Sequence, residues 1–319
     1  MAESIVLMKD NKINEDQSGL EGGATIHKIL PFFTPLQKHN QGLSEQRQGG
    51  MSSKFHHWLG FEELFSPEVW RASLAELFGT GLLVFMIDTI VISSLETDTK
   101  TPNIVISCFV ALLIAILLLA TGPVSGGHIN PAITLSATLV GLISVSRAIV
   151  YIIAQCIGAV VGALALKAIV SSSIANTFSL GGCTPTVVTP GPDGPMTVGL
   201  GMGQALWLEI LCSFFFLFPV WMAFDHRQLK ALGPVVVCSI IGIVVGLIVF
   251  ISTTVTSKKG YAGVGINPAR CIGPAIVRGG HLWTGHWVFW VGPIIASVVF
   301  YLYTVIIPSE HFKPRVIKE

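Results

Sequence analysis

Six stretches of the chain are apolar on every side of a helical projection: roughly Leu74 to Leu95, Ile104 to Thr121, Ala148 to Val170, Gln204 to Phe224, Val235 to Thr256 and His286 to Ile307. A hydrocarbon core of about 30 Å needs roughly 20 such residues per spanning helix, and strands are rarely that long. A helix that is greasy all round must sit inside a large core or in lipid. With 51% hydrophobic and only 12% charged residues, the chain has too little polar surface to cover six of them in water. The expected fold class is therefore an all-α membrane protein with six transmembrane helices.

The formal net charge is +1 and the basic residues are scattered, which excludes the electrostatic footprint of a nucleic-acid partner. Residues 1–70 carry Asp, Glu, Lys and Gln throughout and lack the basic start and apolar run of a secretory signal. They read as a poorly ordered tail, followed by a membrane domain over 71–308 and a short tail over 309–319. The tail holds Lys9, Lys12, Lys28, Lys38, Arg47, Lys54 and Arg71, and Arg147, Arg227, Lys230, Lys313, Arg315 and Lys318 fall on the same side of six spans. The positive-inside rule then makes both termini cytoplasmic. Lys258, Lys259, Arg270 and Arg278 fall outside, in a segment that reads as a fold-back loop.

The chain also repeats itself. Glu76 lies in a span as Ala-Glu-Leu-Phe-Gly-Thr and precedes Asn130-Pro131-Ala132; Glu209 sits similarly and precedes Asn267-Pro268-Ala269 at nearly the same distance. Two halves of three spans each follow, about 72–171 and 204–307. Three is odd, so the second half enters from the opposite side, giving an inverted three-span repeat. The two Asn-Pro-Ala loops then face each other.

Each tripeptide reads as a helix start: Asn is a favoured N-cap, Pro is preshaped for the first helical position, and the preceding glycines permit positive φ. The apolar runs that follow, Ile133 to Leu142 and Cys271 to Val277, are too short to cross a bilayer. They are expected to be two re-entrant half-helices. Non-helical backbone at that depth survives only where it is buried in protein or lines a wet cavity. Two half-helices meeting tip to tip aim two positive ends, roughly half a charge each, at one point and repel cations there. The amides of Asn130 and Asn267 can donate to a passing oxygen atom. Glu76 and Glu209 are expected to anchor the loops by accepting hydrogen bonds, since a carboxylate inside a membrane is costly unless partnered.

On these glutamates and both boxes, the chain from about Glu76 to Ile307 resembles the major intrinsic proteins, the family of aquaporins and aquaglyceroporins. The run Asn-Pro-Ala-Arg-Cys and the loop Leu180-Gly181-Gly182-Cys183-Thr184 are similar to the plant X intrinsic protein subfamily. The resemblance implies one pore per subunit, a homotetramer in lipid, most naturally the plasma membrane, and no catalysis, cofactor or metal. It also implies an outer constriction, placed by offset at Val110, Val255, Val264 and Arg270, with Thr254 as the alternative to Val255. Water-selective relatives carry a His and an aromatic residue in this ring. Their absence implies a wider, greasier opening for glycerol, urea, hydrogen peroxide or boric acid, with water weaker.

Other residues carry less. Cys183 and Cys271 are candidates for an outer disulfide, which spacing alone does not establish. Cys108, Cys156, Cys212 and Cys238 lie in apolar runs as small hydrophobes. Gly158 and Gly162, like Gly242 and Gly246, form small-xxx-small pairs for close helix contact. Gly191-Pro192-Asp193-Gly194-Pro195 is turn chemistry. Lys167 reads as snorkelling to the interface and His226 as a solvated loop residue, while Asp88, in mid-span, has no partner evident in the sequence. Two rival classes stand beside the channel. An intramembrane serine hydrolase would use Ser125 with His281 or His286, and a proton-coupled carrier would need Asp88 as its relay.

Overall fold

The computed structural model describes residues 58–306, apart from 98, 193, 257 and 258. Five of its helices open on a proline at the first position, where the missing N–H costs nothing and φ is already set. These are α1 (Pro67–Glu96), α2 (Pro102–Ser125), α3 (Pro131–Leu139), α8 (Pro234–Thr254) and α9 (Pro268–Arg278). The others are α4 (Val145–Ile169), α5 (Ser172–Thr177), α6 (Met202–Phe224), α7 (His226–Leu232) and α10 (Val288–Ile306). Among the described residues six helices are long and apolar enough to span a bilayer: α1, α2, α4, α6, α8, and α10 with the turn Gly280–Trp283 before it. Below, the near face is the one where α1 begins, and the far face is its opposite.

The packing follows the repeat. Within each half the first span lies against the third, α1 on α4 and α6 on α10, while the two middle spans, α2 and α8, pack on each other across the halves. The half-helices are exchanged: α3 packs on α10 and α9 on α4. The glycine pairs sit where backbones touch. A Cβ on Gly158 or Gly162 would collide with the Leu77 or Gly81 carbonyl of α1, and one on Gly242 or Gly246 with the Ala111 or Ser107 carbonyl of α2. Leu74, Phe78 and Leu82 on α1 face outward and exposed, while Ser73, Glu76, Thr80 and Asp88 are buried.

The tail expected through residue 70 is shorter, because residues 61–65 and 67–70 are already helical. A 3₁₀ turn, Phe61–Phe65, leads into α1, and Glu63 pairs with Arg147 at 2.9 Å. Ser146 donates to the Leu59 carbonyl at 2.8 Å, so this segment is tied to the start of α4. Residues 1–57 and 307–319, including the expected C-terminal tail, lie outside the described residues. Among the described residues the fold departs from all-α at one place. Thr186–Gly191 and Gly194–Gly199 form an antiparallel hairpin, β1–β2, whose tip is the predicted Gly-Pro turn. His226 opens α7 instead of lying in a loop, because Asp225 caps that helix by accepting from Arg227 N. Lys167 does not simply reach out of the bilayer: its Nζ donates to the Val277 carbonyl at 2.8 Å.

Candidate pore between the two half-helices

Each Asn-Pro-Ala motif closes its own helix start and reaches across to the other. Asn130 Oδ1 accepts from Ala132 N at 2.8 Å, and Asn267 Oδ1 from Ala269 N at 3.0 Å and Arg270 N at 3.3 Å. Asn130 Nδ2 donates to the Ile266 carbonyl at 3.0 Å, and Asn267 Nδ2 to the Ile129 carbonyl at 2.9 Å. An amide NH2 has two protons, so each Asn keeps one donor for the lumen. The two N-termini thus meet at one level with their dipoles opposed.

The carbonyls that receive these bonds come from backbone in an unusual conformation. Ile129 has φ 40 and Ile266 φ 46, a left-handed geometry that a β-branched residue adopts only when its surroundings impose it. The two glutamates impose it. Glu76 accepts from His128 N at 3.0 Å, Ile129 N at 2.6 Å, Gln155 Nε2 at 2.7 Å and Ser125 Oγ at 2.5 Å. Glu209 accepts from Gly265 N at 2.5 Å and Ile266 N at 3.0 Å. Both carboxylates are wholly buried; Glu209 accepts from the re-entrant loop, and Glu76 divides its acceptors between the loop and two side chains of the spanning helices, Ser125 and Gln155. On the near face, His128 Nδ1 lies 3.1 Å from Thr134 Oγ1 and edge-on to Tyr151.

Around these tips lies a cavity of about 800 Å³ whose walls run from Leu95, Asn103 and Lys259 on the far side to Phe216, Val220 and Phe224 on the near side. Most of the wall is aliphatic: Leu83, Ile87 and Val91 of α1, Ile106, Val110 and Ile114 of α2, Ile241, Val245 and Val249 of α8. Val110, Val264 and Arg270 line it as expected by position. Val255 does not, and the offset reading is corrected there. It caps the C-terminus of α8, is 62% exposed and turns away from the cavity; Thr254 is not on the wall either. The α8 residues that do line the far end are Ser252 and Thr253, in register with Val245 and Val249. Ser252 Oγ accepts from Val264 N at 3.2 Å and so fixes the loop that presents Val264.

Arg270 is held on three sides. Its Nη2 donates to the Gly181 carbonyl at 3.0 Å, its Nη1 lies 2.6 Å from Cys183 Sγ, and Asp88 Oδ1 is 3.7 Å from Nη2. Cys183 and Cys271 are joined as a disulfide with Cα atoms 5.2 Å apart, linking the far-face loop to the start of α9. Cys108, Cys156, Cys212 and Cys238 are free thiols. The partner of Asp88, Gln155 as fourth donor to Glu76, and the left-handed isoleucines all escaped the sequence reading. The two isoleucines stand immediately before the two Asn residues, and that shared position was the available signal.

The rival arrangements do not assemble. Ser125 Oγ is spent on Glu76, whereas His281 Nε2 meets Ser179 Oγ at 2.8 Å on the far face. His286 packs beside Trp283 and Phe289, also at that end. Asp88 faces Arg270 in place of a proton path. No cluster of three or more His, Cys, Asp or Glu suited to a metal ion occurs among the described residues.

Six spans, an inverted repeat and two half-helices meeting at a cavity define a multi-pass membrane protein of the channel-forming kind. The model of the family described as major intrinsic protein matches residues 63–303, and the chain belongs to that family. It is 30% identical to aquaporin-4 of Homo sapiens over 84% of this chain and 77% of that one. It is 34% identical to aquaporin PIP1-2 of Musa acuminata subsp. malaccensis over 79% and 84% of the two chains. Among solved structures, the aquaglyceroporin from Plasmodium falciparum superposes with a TM-score of 0.61 at 18% identity, over 76% of this chain and 98% of that one.

Proposed function

We propose that the chain is a passive channel for small uncharged solutes, among them glycerol, urea, hydrogen peroxide and boric acid, with weaker water flow and exclusion of protons and ions. The observation that carries this reading is the crossed pair of Asn amides, each with one N–H left for a solute oxygen at the meeting point of two positive helix ends. A neutral molecule gains a hydrogen bond there and a cation meets repulsion. The preference for solutes with carbon surface rests on the ring of Val110, Val264, Thr253 and Arg270. Three of its four members offer methyl groups, and the Thr253 hydroxyl is already bonded to the Val249 carbonyl at 2.8 Å. Water loses hydration at such a wall without replacement, whereas a polyol buries its CH groups there.

The run Asn267-Pro268-Ala269-Arg270-Cys271 and the loop Leu180-Gly181-Gly182-Cys183-Thr184, joined through Cys183 and Cys271, favour the X intrinsic protein branch. The basic residues of the near face favour a cytoplasmic position for both termini in a plasma membrane. The exposed aliphatic flanks, such as Ile149, Ile153 and Ile157 on α4, suit lipid and a homotetramer. The test is stopped-flow swelling and shrinking of proteoliposomes with water, glycerol, urea and peroxide side by side. Solute flux well above empty vesicles, unsaturable and indifferent to a pH gradient, is expected. Flux no greater than in empty vesicles for every solute would end the channel reading, and fast water with no glycerol would end the preference.

A further inference from the structure

Asp88 sits in the far-side third of α1, on its buried face, and its side chain is wholly enclosed. Among the described residues neither carboxylate oxygen has a hydrogen-bond donor, so an ionisable group has been taken out of water with one visible compensation, the guanidinium of Arg270 at 3.7 Å. The residue does not line the cavity; Arg270 does, so the carboxylate stands behind the guanidinium, in the wall. The intervening loop is built to allow this approach. Gly181, at φ 72, lies so close to α1 that a Cβ there would stand 2.6 Å from Asp88 Cα, and its carbonyl takes the second contact of the same Nη2. Gly182 is packed as tightly, against Pro274 of α9.

From this geometry we propose that Asp88 is the buried counter-ion and positioning residue of Arg270. It draws the guanidinium from the lumen toward the wall, which widens the far constriction, and it cancels much of the ring's positive charge. Exclusion of cations by the wild-type protein therefore rests mainly on the two half-helix ends at mid-depth. Removing Arg270 alone does more than delete a positive charge, because it uncovers a carboxylate beside the path. This inference rests on the channel reading and concerns the selectivity of the same pore.

The test is a four-way comparison in proteoliposomes of the wild type, Asp88→Asn, Arg270→Val and the double variant, reading potassium and proton leak and the glycerol-to-water flux ratio. Arg270→Val should raise cation leak about tenfold, and adding Asp88→Asn should reverse most of that rise, a coupling no merely structural role produces. Asp88→Asn alone should lower the glycerol-to-water ratio by about threefold as the guanidinium swings inward, with Asp88→Glu restoring it. Equal leak from Arg270→Val and the double variant overturns the proposal, and that comparison stands even where Asp88→Asn fails to fold. A glycerol-to-water ratio unmoved by a folded Asp88→Asn overturns it as well. A wild type without solute flux instead sinks the channel reading beneath it.

Discussion

Replacing Glu76 by Gln should destabilise the near-face loop about as much as the same change destabilises the far-face loop at Glu209, although Glu76 gathers twice as many donors. Glu76 gathers four donors, two on each oxygen: Ser125 Oγ and His128 N on one, Ile129 N and Gln155 Nε2 on the other. An amide puts an NH2 where one oxygen was; turned toward Ser125, it donates to a hydroxyl oxygen whose own proton swings to the Thr121 carbonyl at 3.3 Å, so the buried donor left without an acceptor is His128 N. Such an orphan costs about 1–3 kcal/mol, which is the loss expected for Glu76→Gln. Glu209 receives Gly265 N on one oxygen and Ile266 N on the other, so its amide orphans one donor, at about 1–3 kcal/mol. The assay is denaturant or thermal unfolding of the purified variants in detergent, paired with glycerol flux in liposomes. Both variants should also lose flux, since the left-handed turns at Ile129 and Ile266 are no longer imposed and the Asn amides lose their aim. A loss at Glu76→Gln at least twice that at Glu209→Gln would refute the count of one orphaned N–H at each site as the origin of the effect.

Cys271→Ser opens a crosslink spanning 88 positions of sequence and should cost about 4 kcal/mol of stability, with reductant producing the same loss in the wild type; unfolding curves that ignore reductant would contradict this. Gly158→Leu drives a side chain into the Leu77 carbonyl and should cost about 3 kcal/mol or abolish folding, whereas Gly203→Ala, with open space around it, should be silent in the same expression and melting assay. Partial burial raises the pKa of Asp225, but hydrogen bonds and charge from Arg227 outweigh it, leaving the carboxyl below its usual 3.8. A native pKa depressed in this way contributes stability that is full above the unfolded value and lost as pH falls through the native one. Melting temperature should accordingly drop below about pH 4, and Asp225→Asn should flatten that acid limb; an unchanged slope in the variant would assign it to other groups.

The spans were legible because lipid imposes one demand, a long apolar run, and the sequence meets it six times. The half-helices were legible because Asn and Pro state a helix start locally. What lay hidden was set by distance along the chain. Nothing near Asp88 announces Arg270, since the contact depends on how closely Gly181 lets the far-face loop approach α1. Val255 was misassigned because counting back from Asn267 passes through a segment between Thr254 and Pro268 whose described residues have no regular period, so the helical face shared by Val249 and Thr253 was lost on the way. The start of α1 was drawn too late because Glu62, Glu63, Glu68 and Arg71 look like solvated tail, whereas Glu63 is engaged with Arg147.

The exchange of bonds between Asn130 and the Ile266 carbonyl, and between Asn267 and that of Ile129, bears on biosynthesis. When the ribosome has delivered the first three spans, the amide of Asn130 still has no acceptor, because the residue that supplies it, Ile266, comes 97 positions after Ile169, where the third span ends. The centre of the molecule is therefore finished near the end of translation. Until then the nascent membrane protein carries an unmet polar group at mid-depth that water, a neighbouring helix or the insertion machinery has to shelter.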